Sequence, residues 1–135
     1  MKEIGELHIP DDRRYARDHE WAMPRDGLLR VGVNDFAQDR LGDVVYVELP
    51  RPGARFGAGE RFGAVESVKA VSDLFMPVSG TVAAVNGALS ASPGLVNSDP
   101  YGEGWMIEVT PEGEGGYEAL MDRAAYLAML SEGGR

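Results

Sequence analysis

A chain of 135 residues with no cysteine and only two histidines excludes disulfides, thiolate nucleophiles and cysteine-based zinc sites, and His8 and His19 alone cannot build a catalytic metal centre. The formal net charge of −9 opposes binding to phosphate backbones or anionic membranes, since that affinity comes largely from Lys and Arg. At this length one domain buries roughly two-thirds of the surface its unfolded chain exposes, so no covalent staple is needed.

The amino terminus, Met1 to Glu6, carries acids and no apolar run, which fits neither a secretory signal nor an Arg/Ser-rich transit peptide. Nowhere are eighteen apolar residues consecutive, and the expected compartment is the cytoplasm. Residues 1–14 read as a loosely attached arm that enters a strand near Tyr15. Asp18-His19-Glu20-Trp21-Ala22, a turn at Pro24-Arg25-Asp26-Gly27 and a strand Leu28 to Val33 read as a hairpin with Trp21 in or near the core. Asn34 is placed to cap a short helix near 34–41, which Gly42 stops. Asp43 to Leu49 is the strongest strand pattern, ended by Pro50-Arg51-Pro52-Gly53.

A second hairpin follows over 60–80. Arg61 to Ser67 and Leu74 to Val78 are strand-like, and the link between them is small and polar except for Lys69. Lys69 is therefore expected at a hairpin tip, pointing into water, as an amine that a modifying enzyme can acylate. The runs Val45 to Glu66 and Met76 to Glu108 echo each other as Gly-punctuated strand pairs, the second carrying a Ser/Pro/Asn/Gly-rich insertion from Leu89 to Gly102. Short strands at this spacing indicate a mainly β sandwich or small barrel. Over 116–132 the period changes: Tyr117, Leu120, Met121, Ala124, Leu127 and Ala128 trace one face of an amphipathic helix that ends at Gly133-Gly134.

Glu66-Ser67-Val68-Lys69-Ala70 followed by Ser72-Asp73 resembles the lipoylation motif of the glycine cleavage system H protein family. Biotin carriers usually flank their lysine with methionines; Val68 and Ala70 stand there instead. The resemblance extends to Asp18-His19-Glu20-Trp21, Asp35 to Asp39, Leu41 to Pro50, Pro77 to Gly80 and Leu95 to Trp105, so it spans nearly the whole chain. It implies a single lipoyl-carrier domain over 1–135, a lipoyl/biotinyl-type barrel-sandwich hybrid of two quasi-equivalent halves.

The resemblance further implies lipoate amide-linked to Lys69, with Glu66 and Ser67 guiding the lipoate-attaching enzyme. Such a carrier takes an aminomethyl group from a PLP-dependent glycine decarboxylase to a tetrahydrofolate-dependent aminomethyltransferase, and presents its dithiol to dihydrolipoyl dehydrogenase. It catalyses nothing itself. The loaded arm is expected to shelter in a cleft at Glu20 and Asp73, with Asp18 nearby; Arg40 stands where relatives have histidine, and its charge opposes a cationic arm. Three other readings are a relay that donates lipoyl groups to other complexes, an unmodified structural β-domain and an independent enzyme. Intact Lys69 in its full context counts against the structural domain. The enzyme lacks a nucleophile–base pair, a phosphate loop and a metal constellation.

Overall fold

The computed structural model describes residues 1–133. A 3₁₀ turn at Ile4–Glu6 precedes strand β1 (Arg14–Tyr15), which pairs with β2 (Glu20–Arg25). Strand β3 (Leu28–Val33) follows through a two-residue turn. Pro24 and Arg25 belong to the strand rather than to the turn, which narrows to Asp26 and Gly27, both at positive φ (53° and 82°). That left-handed pair matches the twist of an antiparallel hairpin.

Helix α1 (Asp35–Leu41) starts at Asn34, whose side chain accepts from the Ala37 amide at 2.9 Å, and ends at Gly42 with φ 74°. Strands β4 (Val44–Glu48), β5 (Arg55–Phe56), β6 (Arg61–Ser67), β7 (Val71–Phe75) and β8 (Gly80–Val85) come next. The insertion folds into two short helices, α2 (Ala88–Ala91) and α3 (Leu95–Ser98), before strand β9 (Ile107–Pro111). Two antiparallel sheets result, a six-stranded one ordered β1-β2-β3-β9-β8-β5 and a three-stranded one ordered β4-β6-β7. The echo seen in the sequence corresponds to two antiparallel pairs, β4–β6 in one sheet and β8–β9 in the other, with Lys69 in the chain between them. Val31, Val65, Leu74, Val82, Met106 and Ile107 fill the space between the sheets.

Two further expectations are corrected. The carboxyl-terminal helix α4 spans Arg123–Ser131 rather than 116–132, because Tyr15 and Met121 exchange backbone hydrogen bonds at 2.8 and 3.0 Å and hold Met121 extended. Asp122 then caps the helix by accepting from the Ala125 amide at 2.9 Å. Its buried face is Tyr126, Met129 and Leu130, while Ala124 and Ala128 face water. Tyr117 and Leu120 pack on the core from a turn. Gly134 lies outside the described residues.

The amino-terminal arm is tied down rather than loose. Ile9 is buried, the Lys2 ammonium lies 2.9 Å from the Asp35 carboxylate, and the His8 amide donates to the same carboxylate at 2.8 Å. Burial opposes the Asp35 charge, yet these bonds outweigh it and hold the carboxyl below its ordinary range. Among the described residues no helix is long and apolar enough to cross a membrane.

The strand that carries the lysine hairpin tolerates no side chain at Gly63, where a Cβ would collide with the Glu48 carbonyl oxygen of β4. Gly63→Ala is expected to lower stability by about 2 kcal/mol or more through displacement of β4 from β6. Gly5→Ala, with open space around it, is expected to leave the midpoint unchanged in the same urea melts.

Candidate functional site

Strands β6 and β7 meet in a three-residue turn, Val68 to Ala70, with Lys69 exposed at its tip. Ser67 builds the turn. Its amide donates to the Ala70 carbonyl at 2.8 Å, and its Oγ accepts from the Lys69 and Ala70 amides at 3.3 and 3.2 Å. The turn is also fastened sideways, since the Val68 amide donates to the Asp43 carbonyl at 3.0 Å. Asn97 in turn fixes that corner, donating to the Gly42 carbonyl at 2.7 Å and accepting from the Val44 amide at 2.9 Å. Gly42 suits its place twice. It ends α1 in the left-handed region, and a Cβ there would stand 3.3 Å from Lys69 Cε, so the lysine stem has room to lie across it.

Beside the turn opens a cleft of about 330 Å³ whose lining includes Asp18, Glu20, Phe36, Arg40, Val71 and Asp73. All three acids expected from the sequence thus border one hollow, but their states differ. Glu20, only 2% exposed, accepts from the Phe75 amide through Oε2 at 3.2 Å, and its Oε1 has no partner. Burial pushes its carboxyl up to about 8. Asp73 is exposed and held by Arg61, whose Nε donates at 3.0 Å while the same guanidinium reaches Glu48 at 3.4 Å. Asp18 is exposed. Arg40 stacks its guanidinium 4.7 Å from the Phe36 ring on the cleft wall.

His19 stands between cleft and α4. Its Nδ1 lies 2.6 Å from the Tyr126 hydroxyl, and its ring packs 4.5 Å from Phe36. Burial lowers its pKa to about 4, with Asp18 opposing and Arg40 adding to the shift, so the ring is neutral at pH 7. The backbone here is unusual, with His19 at φ 75°. The cleft therefore combines an apolar wall, one cation and one buried carboxyl with a free oxygen. A wider hollow of about 750 Å³ lies elsewhere, between Pro24 and the 111–118 segment. None of the described buried polar side chains lines it, and Lys69 is not part of it.

Sequence reading missed Asn97, the Arg61 bridge and the His19–Tyr126 contact. Asn97 offered a signal, an amide inside a stretch already marked by the resemblance. The other two depend on register and on the true start of α4.

The fold and site define a small two-sheet β protein that presents one lysine on a braced turn beside an acid-bearing cleft. The family model described as glycine cleavage H-protein matches residues 13–133. A glycine cleavage system H protein of Anaeromyxobacter sp. (strain K) is 55% identical over 126 residues, covering 93% of this chain and 98% of that protein. One from Mycobacterium avium (strain 104) is 54% identical over 129 residues, covering 92% and 98%. The crystal structure of a glycine cleavage system H protein from Mycobacterium marinum superposes with TM-score 0.83 at 42% identity, over 91% of this chain and 99% of that one. The chain belongs to the glycine cleavage H-protein family, and with it to the non-catalytic carrier components of a multienzyme system.

Because the folded-state pKa of Glu20 is raised, its contribution to stability is full below about 4.5 and is lost as pH climbs to about 8. Glu20→Gln keeps an acceptor for the Phe75 amide and removes the titration. Urea midpoints should fall between pH 5 and pH 8 for the wild-type protein more steeply than for the variant. Parallel pH profiles would refute the buried-acid assignment.

Proposed function

We propose that this chain is the lipoylated carrier of a glycine cleavage system, modified at Lys69 and acting as one domain. Lys69 would hold lipoate, which when bound would supply a dithiolane able to carry the aminomethyl group of glycine between glycine decarboxylase and the aminomethyltransferase, with dihydrolipoyl dehydrogenase restoring the disulfide from the dithiol. The observation that carries this reading is the placement of Lys69 on a braced turn beside the cleft that Glu20 lines with its buried, unpartnered Oε1.

The geometry supports a part for each residue. Lys69 Nζ, as the neutral amine, attacks an activated lipoyl carbonyl; the activating group leaves with its bonding pair and the amine loses a proton. About a dozen bonds then separate Lys69 Cα from the nearer sulfur, a reach on the order of 14 Å, which enters recessed sites while the turn stays outside. Ser67 spends its hydroxyl inside the turn, so its part in recognition is to set the shape. Glu66, exposed on β6, is left to offer charge to the attaching enzyme.

In the cleft, Glu20 gives up its proton when a cationic amine displaces the side chains covering its buried Oε1, and the pair then shares the buried site. A carboxylate about 4 Å from an ammonium is worth roughly 4 kcal/mol at an effective dielectric of 20, but nearer 0–1 kcal/mol when exposed. Buried Glu20 belongs to the first regime, whereas exposed Asp73, already paired with Arg61, belongs to the second. Asp18 at the rim offsets part of the repulsion from Arg40.

Mass spectrometry of protein from its native host should find a lipoyl adduct on Lys69; an unmodified Lys69 in lipoate-replete cells sinks the reading. Lys69→Arg should carry neither adduct nor aminomethyl group after incubation with glycine decarboxylase and glycine. With the wild-type arm loaded, Glu20→Gln should shorten the lifetime of the aminomethyl form by about tenfold or more, the equivalent of about 1.4 kcal/mol. Asp73→Asn should change that lifetime much less, and equal effects would reject the division of roles drawn between the two acids.

A further inference from the structure

Apart from Val71 and Asp73 on β7, which also border the cleft, the outer face of the three-stranded sheet stands outside the cleft lining, and it carries exposed apolar side chains. Among the described residues the large hydrophobic side chains most open to water are Met1, Ile4, Val45, Tyr46, Val68 and Val71. Two lie in the amino-terminal arm; the other four, 49–71% exposed, lie on β4, in the Lys69 turn and at the start of β7. Tyr46 of β4, Glu66 of β6 and Val71 of β7 are direct cross-strand partners, so their side chains form one row on one face. Val45 is set beside them by the irregularity in pairing between Val44 and Tyr46, and Val68 lies in the turn itself. Exposed apolar side chains gathered in one place, next to acids, mark a protein contact surface.

Charge limits what fits. Asp43 and Glu66 border the patch, exposed and with no ion-pair partner among the described residues, and Glu48 and Asp73 end the next row across Ala64, bridged by the Arg61 side chain. A complementary partner presents an apolar centre ringed by Lys or Arg. Reach then decides which partner must touch this face. An enzyme that forms the amide at Lys69 Nζ must bring its reacting atoms within roughly 6 Å of the Lys69 Cα, the length of the lysine side chain. At that distance its surface meets Val68, Val71 and Tyr46. Enzymes acting at the far end of an arm on the order of 14 Å long can stand off.

We infer that the row Tyr46–Glu66–Val71, with Val45 and Val68, is the docking face for the enzyme that acylates Lys69, engaged through an apolar centre and a basic rim. The assignment rests on the carrier reading above and adds the residues that set affinity for the attaching enzyme.

The test uses the full unmodified chain as substrate for a lipoate–protein ligase supplied with lipoate and ATP. Tyr46→Ser/Val45→Ser, both outside the cleft lining, should raise KM at least tenfold with kcat unchanged, and Val68→Ser, outside the strand pairing, should raise KM in the same direction. Ile4→Ser, equally apolar but in the arm, should match wild type. Raised salt should increase the wild-type KM. Unaltered circular dichroism and urea midpoints confirm that the variants fold. A KM equal to that of Ile4→Ser, or a fall in kcat alone, would overturn the docking assignment. Once lipoylated, the double variant should be loaded by glycine decarboxylase as wild type is; an equal loss there gives the face to the downstream enzymes and overturns the assignment too. Failure of the wild-type chain to be acylated at Lys69 shows in the first reaction, before any variant is compared, and refutes the carrier reading itself.

Discussion

The hydrogen bond from the Val68 amide to the Asp43 carbonyl is the constraint on which the display of Lys69 depends. An isolated two-stranded hairpin is marginal in water and its tip frays. Here the tip is fastened to the corner between α1 and β4, and Asn97 fixes that corner from the insertion. Residues more than fifty positions apart in the chain thereby determine where one exposed amine stands. Rigid placement matters because the flexible part of the device is the lysine side chain and whatever it carries, while the protein supplies a defined origin for that motion.

A second body of packing supports the cleft from behind. Arg13 is sandwiched between Trp21 and Tyr101, with its guanidinium 4.7 and 5.1 Å from the two rings, and Tyr15 stacks on Tyr126 at 5.1 Å. Trp21 donates to the Val33 and Pro100 carbonyls at 3.0 Å. Arm, first hairpin, insertion and α4 therefore converge under His19, and the cleft floor inherits their rigidity. Burying Glu20 in such a setting costs stability unless its charge finds a partner, a strain characteristic of sites that await a cation.

Much of this was legible from residues alone. Asn34 and Gly42 bracket α1 as a cap and a stop, Trp21 is fully buried, and the strand–turn–strand pattern around Lys69 is present, although β7 begins three residues earlier than its apolar run suggests. The carboxyl-terminal helix was legible in existence but not in extent. Turn residues Tyr117 and Leu120 fall by chance on a helical spacing, and the better signal was Asp122 as a cap. The three acids that the resemblance pointed to line one hollow, but their unequal states were not readable. Asp73 is paired because β6 and β7 bring Arg61 alongside it, and Glu20 is buried because two sheets close over it; both are products of tertiary register.

The bridge in which Arg61 joins Asp73 and Glu48 also bears on how the molecule behaves in a crowd. Strand β7 is an edge of its sheet, and an apolar edge with free amides invites another strand to pair with it. Two carboxylates and a guanidinium spread across that short sheet, and the Phe75 amide is occupied by Glu20, so a would-be neighbouring strand meets charge and a satisfied donor. The protein can hold an apolar face open for a partner while its own edge resists joining copies into fibres.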